Sequence, residues 1–325
     1  MNTFKIAIAF ALTVSAALAQ IVTPQGRLTL DAFTPVMTGD VTGATTVWYL
    51  PYVGNTIPIS NSTSCTFVNE PIIGIIDLGL NSSAHLAGKI YDVFAFMNSG
   101  QATLGAGPAW TNFTTRSAAI NTSYGVVTNE FAITLTNGSN TYSNIPISEA
   151  TYLGSFYATA NGETSMQFKP TPASGGSANI LGLYNAYNRV QISSFERDST
   201  TSWSMASATA FETLNNGTGG GTGNSISFLD GLQQSVVTAS MYIYVNSNGF
   251  AEVGMLEDLT SGTPNIAAGI GTSSGALSLT TAIEETFPPL MGFHYIQAMQ
   301  LANGATANFY GAGDNLQALI ASLEM

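Results

Sequence analysis

The chain has 325 residues, 7 Lys+Arg against 19 Asp+Glu and a formal net charge of −12; 8% of it is charged, 45% is hydrophobic and 33 residues are glycine. A typical domain carries about a quarter charged residues, so this chain meets water mainly through Ser, Thr, Asn, Gln and Gly. Its hydrophobicity excludes a disordered acidic tail, the lack of a Lys/Arg stripe argues against a nucleic-acid partner, and a single cysteine, Cys65, excludes an intrachain disulfide scaffold.

Residues 1–19 read as an export signal. Lys5 gives the positive start, residues 6–14 are a compact apolar run, and Ala17-Leu18-Ala19 has the small-x-small form of a cleavage site before Gln20. Loss of Lys5 makes the mature chain more acidic still. No later stretch reaches the roughly 18 apolar residues of a membrane span. The last ten residues alternate and contain Glu324, unlike a lipid-anchor tail. The expectation is a secreted, extracellular protein without membrane insertion.

The rest reads as strands and turns. Residues 130–136 alternate, with Phe131, Ile133 and Leu135 toward a core, and Asn137-Gly138 supplies a turn. Val237, Ala239, Met241, Ile243 and Val245 line one face of a further strand; Thr238, Ser240, Tyr242 and Tyr244 line the other. Asn248-Gly249 then predicts a hairpin returning through 250–255, and Asn303-Gly304 predicts another between 294–301 and 306–310. Residues 318–325 read as a closing strand. Helical periodicity is confined to two short candidates, 148–152 and 280–285.

These elements predict an all-β chain of two β-sandwich or jelly-roll modules joined by a Pro/Gly/Ser-rich linker. The boundaries are 1–19 signal peptide, 20–162 N-terminal sandwich, 163–178 linker and 179–325 C-terminal jelly-roll-like module. The linker rests on Pro170, Pro172, Gly175 and Gly176, which break a ladder. Each module, about 145 residues, is large enough to bury its own core. Gly219-Gly220-Gly221 reads as a surface loop.

Chemistry is sparse. His85 and His294 are the two histidines, they fall in different modules, and no G-x-S-x-G elbow accompanies them. Two histidines and one cysteine at no ligand spacing make zinc a poor fit. The 219–223 glycine run lacks the Lys-Ser/Thr of a phosphate loop. Asp31 with Asp40, or Glu257 with Asp258, could contribute to calcium, but turn capping explains them better. No catalytic residue, cofactor or metal is expected. Trp48, Tyr49, Tyr52 and Trp110 stand near turn sequence and are the candidate glycan contacts, with core packing the competing role. Asn-x-Ser/Thr sequons at Asn61, Asn81, Asn112, Asn121, Asn137 and Asn216 are candidate N-glycosylation sites in a eukaryotic secretory route.

Several strings go beyond composition. Gly26-Arg27-Leu28-Thr29-Leu30, Thr34-Pro35-Val36-Met37-Thr38 and Asp40-Val41-Thr42-Gly43-Ala44 are followed by Pro51-Tyr52-Val53-Gly54-Asn55, Gly107-Pro108-Ala109-Trp110, Asn185-Ala186-Tyr187-Asn188-Arg189 and Asp230-Gly231-Leu232-Gln233-Gln234. In this order they resemble a family of poorly characterised bacteriophage and prophage tail-associated, or virion appendage, proteins, over nearly the whole mature chain. The resemblance implies an all-β structural or adhesive protein and supplies no catalytic residues. The last third is similar to trimeric jelly-roll domains of phage fibre tips, which implies self-association, with a homotrimer favoured. An export signal departs from the virion pattern and suggests a version acting outside the cell. Two alternatives stand beside this: an extracellular carbohydrate-binding module contacting a cell-surface glycan, and a polysaccharide-degrading glycoside hydrolase.

Overall fold

A computed structural model describes residues 23–60, 64–69, 74–78, 82–216, 223–271, 275, 277–311 and 316–325. The export signal, Asn61, Asn81 and the Gly219-Gly220-Gly221 loop lie outside the described residues. Within them the chain is all-β, and the one helical element is the three-residue 3-10 turn Leu214–Asn216.

The first half builds a sheet around two long neighbours, Ile90–Asn98 and Ala150–Tyr157, which pair antiparallel. Gln101–Ala109 returns beside Ile90–Asn98 through the left-handed residues Ser99 and Gly100. Gly26–Thr29, Thr46–Pro51 and Gly74–Asp77 form a three-stranded sheet, and Thr56–Ser60 with Cys65–Asn69 a hairpin. In the second half an eight-stranded sheet centres on Gly292–Asn303, and a six-stranded sheet on Val237–Ser247. The latter strand alternates buried and half-buried residues along its length, because Val237, Ala239, Met241, Ile243 and Val245 turn inward.

The halves exchange strands. Val41–Ala44 pairs with Thr164–Met166 inside the eight-stranded sheet of the second half. Leu183–Asn185 adds to the first half's sheet, with Ser155 opposite Tyr184. One cluster of buried apolar side chains therefore runs from Leu28 and Val47 to Phe309 and Leu323. The stretch 163–178, expected as a linker, includes Thr164–Met166, all three residues buried. Its Pro/Gly part is also fastened: Asp40 Oδ1 accepts from the Phe168 and Lys169 amides (2.6 and 2.9 Å), and Asp198 Oδ1 accepts from Gly175 N (3.1 Å).

Four local expectations are corrected. The helical candidate 148–152 runs from a turn into the strand Ala150–Tyr157, and 280–285 lies in the strand Leu277–Phe287, where β-branched and aromatic side chains fit the pleat. Asn248-Gly249 does not close a hairpin. Val237–Ser247 already has Leu277–Phe287 on one side, and Gln317–Glu324 and Ala307–Tyr310 on the other, so Phe250–Glu257 crosses to the opposite sheet beside Gly292–Asn303. Asn303-Gly304 makes the same kind of crossing, between Gly292–Asn303 and Ala307–Tyr310. Phe131 stands 64% exposed, because the strand starts at Ile133; Ile133 and Leu135 are buried as expected.

Gly154 marks a close approach between the halves. It sits at φ 155° at a register shift, and a Cβ there would press on the Tyr184 carbonyl oxygen. Gly154→Ala should cost about 1–3 kcal/mol in denaturant unfolding. Because the halves share strands and core, the wild-type protein should unfold in one cooperative transition. Two separated transitions would show independent modules.

Candidate functional site

The strand Ile90–Asn98 places Asp92 in an apolar run, 3% exposed. A carboxylate there needs a full set of partners. Trp110 Nε1 donates to Asp92 Oδ1 (3.0 Å), Ser155 Oγ donates to the same oxygen (2.7 Å), and Arg116 closes an ion pair with Nε at 2.8 Å from Oδ2. The Arg116 guanidinium lies 4.3 Å from the Trp110 ring centroid. Its Nη2 also donates to Tyr152 Oη (3.1 Å) and to the Gly231 carbonyl (2.5 Å), which belongs to the second half. Burial works against the Arg116 charge, but Tyr152 and Asp92 outweigh it and hold its pKa up.

The loop that delivers Arg116 carries residues 111–115 to the surface. Thr111 N donates to the Thr115 carbonyl (2.9 Å), and Thr114 N donates to Asn112 Oδ1 (2.9 Å). The Phe113 carbonyl accepts from Phe293 N (2.9 Å), which joins the loop to the strand Gly292–Asn303. Gly292, at φ 128°, lets Phe113 approach, since a Cβ there would collide with the Phe113 carbonyl. The rings of Phe113, Tyr157 and Phe293 form a surface aromatic group, with Phe113 49% exposed. Beside it opens a cleft of about 250 Å³ whose walls include Lys89, Trp110, Asn112 and Phe113.

The four expected glycan contacts are not brought together as an outward platform. Tyr49 is buried and its hydroxyl accepts from Gly26 N (2.8 Å). Trp110 is buried against Arg116 and reaches only the cleft wall. Trp48 is half-buried in Thr46–Pro51, and Tyr52 is exposed with the Arg27 guanidinium 5.6 Å from its ring centroid. Core packing therefore takes Tyr49 and Trp110. Of the sequons, Asn112 is exposed, while Asn121 and Asn137 are half-buried in strands. Asn216 ends the 3-10 turn Leu214–Asn216.

The titratable groups of the sequence are engaged inside the fold. His85 is fully buried against Tyr91 and Phe156. His294 Nδ1 lies 2.5 Å from Asp258 Oδ2, and its Nε2 lies 3.2 Å from the Met291 carbonyl. Asp31 Oδ1 accepts from Phe33 N two residues on (2.9 Å), a turn cap, whereas Asp40 accepts from the distant Phe168 and Lys169 amides. Cys65 is half-buried and burial pushes its thiol pKa up. Asp198 takes Asn215 and Asn224 amides on Oδ2, and Glu196, next to it, accepts from Ser177 N (2.9 Å). Among the described residues, no group of three or more His, Cys, Asp or Glu is placed to hold a metal ion.

A second surface feature is the outer face of the six-stranded sheet. Tyr242 and Tyr244 point away from the core, half-buried, with Ser240 and Asn246 in line. Tyr310 packs edge-on against Tyr244, ring centroids 5.2 Å apart. Phe195 and Ile320 face each other on neighbouring strands, and Ser193 shares a 2.7 Å hydrogen bond with Ser322. Glu284 and Glu324 are at the margin; the ground between them is hydroxyl, amide, aromatic and aliphatic.

No family model and no curated protein matches this chain. Among solved structures it is similar to dimeric latent PorU of Porphyromonas gingivalis, at 11% identity and TM-score 0.26, over 73% of this chain and 23% of that one. It is similar to the infectious bursal disease virus Gx strain structure at 11% identity and TM-score 0.25, over 93% and 72% of the chains. The Cry8Ea1 endotoxin of Bacillus thuringiensis gives 7% identity and TM-score 0.22, over 90% and 51%. The chain thus spans about a quarter of PorU and half of Cry8Ea1. Likenesses this distant carry no functional argument, and the fold stands on its own strand pairings.

Asp92, Arg116, Phe113, Tyr157 and Phe293 escaped the sequence reading. One signal was available: an acid inside the apolar run Ile90–Asn98 implies a buried charge with a partner. Arg116→Met, which leaves Asp92 buried and unpaired, should cost about 3–5 kcal/mol in denaturant unfolding. Combining it with Asp92→Asn should cost less than the sum of the two single changes.

The buried acids also set a pH dependence. Burial raises Glu196 from 4.5 to about 8. The folded state keeps a proton that the unfolded chain releases, so stability falls as pH rises through that window. Burial lowers His294, but its bond to Asp258 outweighs this and raises it above 6.5. Its contribution is complete below the unfolded value and is lost as pH rises through the raised folded value. Denaturant midpoints should therefore be lower at about pH 9 than at about pH 5, and Glu196→Gln should narrow the gap.

Proposed function

We propose that this protein is a secreted, non-enzymatic structural or adhesive protein, similar to phage tail-appendage proteins, which acts by surface contact and as a homo-oligomer. The observation that carries this reading is the outer face around Tyr242, Tyr244 and Tyr310, which bears charge only at its margin, at Glu284 and Glu324. A chain of net charge −12 repels its own copies except where a face is free of charge. Here the face offers tyrosines, aliphatic side chains and hydroxyl or amide edges, the mixture of a self-associating interface. With the 11 residues of Val237–Ser247 spanning about 36 Å and four strands about 19 Å, the patch is on the order of 700 Å². Stable interfaces use about 800 Å² per partner. The homotrimer is the state implied by the similarity of the last third to trimeric jelly-roll domains.

Size-exclusion chromatography with light scattering tests this. The mature protein should run at three times the protomer mass. Tyr242→Glu combined with Tyr244→Glu should weaken association at least tenfold while leaving the circular dichroism spectrum unchanged. A monomer for the wild type at high concentration would contradict the reading.

A further inference from the structure

We propose that Asn112 carries an N-linked glycan whose first sugar covers Phe113 and the neighbouring cleft. The inference rests on the export reading, since the modification occurs in a secretory lumen. Three observations converge on this residue.

First, the sequon Asn112-Phe113-Thr114 is folded so that Asn112 Oδ1 takes both bonds from Thr114, the amide at 2.9 Å and the hydroxyl at 3.2 Å. Among the described residues Asn112 Nδ2 makes no hydrogen bond, and the residue is exposed. Second, the fold closes the sequon at Asn137 and half-buries the one at Asn121. Asn137 Nδ2 donates to the Leu104 carbonyl (3.1 Å) while its Oδ1 accepts from Asp77 N (3.1 Å), so a sugar on that nitrogen would displace the bond to Leu104. Asn121 is half-buried, its Oδ1 held by the hydroxyl of the buried Thr128 (2.8 Å). Glycans are added to the extended chain, and the fold must then close with them in place; it can do so at Asn112 and cannot at Asn137. Third, Asn112 lines the 250 Å³ cleft with Trp110 and Phe113, and Phe113 is 49% exposed. A pyranose ring linked to Nδ2 starts at that rim, where its C–H face can lie on the Phe113 ring.

The co-reactant is a polyprenyl-diphosphate-linked oligosaccharide. A bond forms between Asn112 Nδ2 and sugar C1, the C1–O bond to the diphosphate breaks, Nδ2 gives up one proton, and the polyprenyl diphosphate leaves with the bonding pair.

The test is secretion of the full chain from yeast in two arms, one with its own N-terminal segment and one with a heterologous secretory leader replacing residues 1–19. Medium protein is treated with peptide-N-glycosidase and mapped by mass spectrometry for Asn-to-Asp conversion. In the leader arm the Asn112 peptide should be converted and the Asn137 peptide should not. Thr114→Ala should abolish conversion at Asn112 and Thr114→Ser should keep it. An unmodified Asn112 in leader-secreted protein overturns the inference, as does conversion at Asn137. Failure of the native segment alone to secrete contradicts the export reading, and the leader arm still decides the site.

Discussion

The ion pair between Asp92 and Arg116 is the interaction on which the arrangement of the two halves depends. Both side chains are taken out of water, which costs several kcal/mol per ion unless geometry and additional hydrogen bonds offset it. Here the offset is specific: the Trp110 indole and Ser155 hydroxyl serve the carboxylate, while Tyr152 and the Gly231 carbonyl take the remaining guanidinium donors. Gly231 follows the strand Ser225–Asp230 of the second half, so the partner set of one buried charge spans the boundary. The same pair fixes the loop 110–115, and through it places Asn112, Phe113 and the cleft against Phe293.

Few charges in the chain means that those present have structural work. Glu196 and Asp198 are inside, served by backbone amides and by Asn and Gln side chains. Asp230 caps the turn after its own strand, accepting from Leu232, Gln234 and Ser235 amides. The surface is left to hydroxyls, amides and tyrosines. Such a surface meets water through hydrogen bonding, and the net charge of −12 that holds copies apart is spread thinly over it. Glu196, raised by burial, and His294, raised by its bond to Asp258, make the fold more stable toward acidic pH.

Much of the fold was legible in sequence because alternation is local. Val237–Ser247 turns inward the side chains that its pattern assigns, and Gln317–Glu324 closes the sheet. What could not be read is which sheet a strand joins. Asn248-Gly249 and Asn303-Gly304 carry the residues of tight turns, yet both lead across the sandwich: the edges of Val237–Ser247 are taken by Leu277–Phe287 and Gln317–Glu324, and those of Gly292–Asn303 by Ser225–Asp230 and Phe250–Glu257. Strand exchange between halves is hidden for the same reason: Val41–Ala44 is a short, half-exposed strand whose partner lies over a hundred residues away. For the surface, aromatic residue type alone did not separate Tyr49 and Trp110, which are interior, from Phe113, Tyr157 and Phe293. That distinction arises from Asp92, which draws Trp110 inward.

Hydrogen–deuterium exchange of the mature protein across a concentration series addresses the contact face directly. On concentration, amides of Val237–Ser247, Ala307–Tyr310 and the otherwise open edge strand Leu277–Phe287 should gain protection, while the loop 110–115 keeps its exchange rate. Identical exchange in those strands at every concentration, or protection appearing elsewhere, would contradict the account.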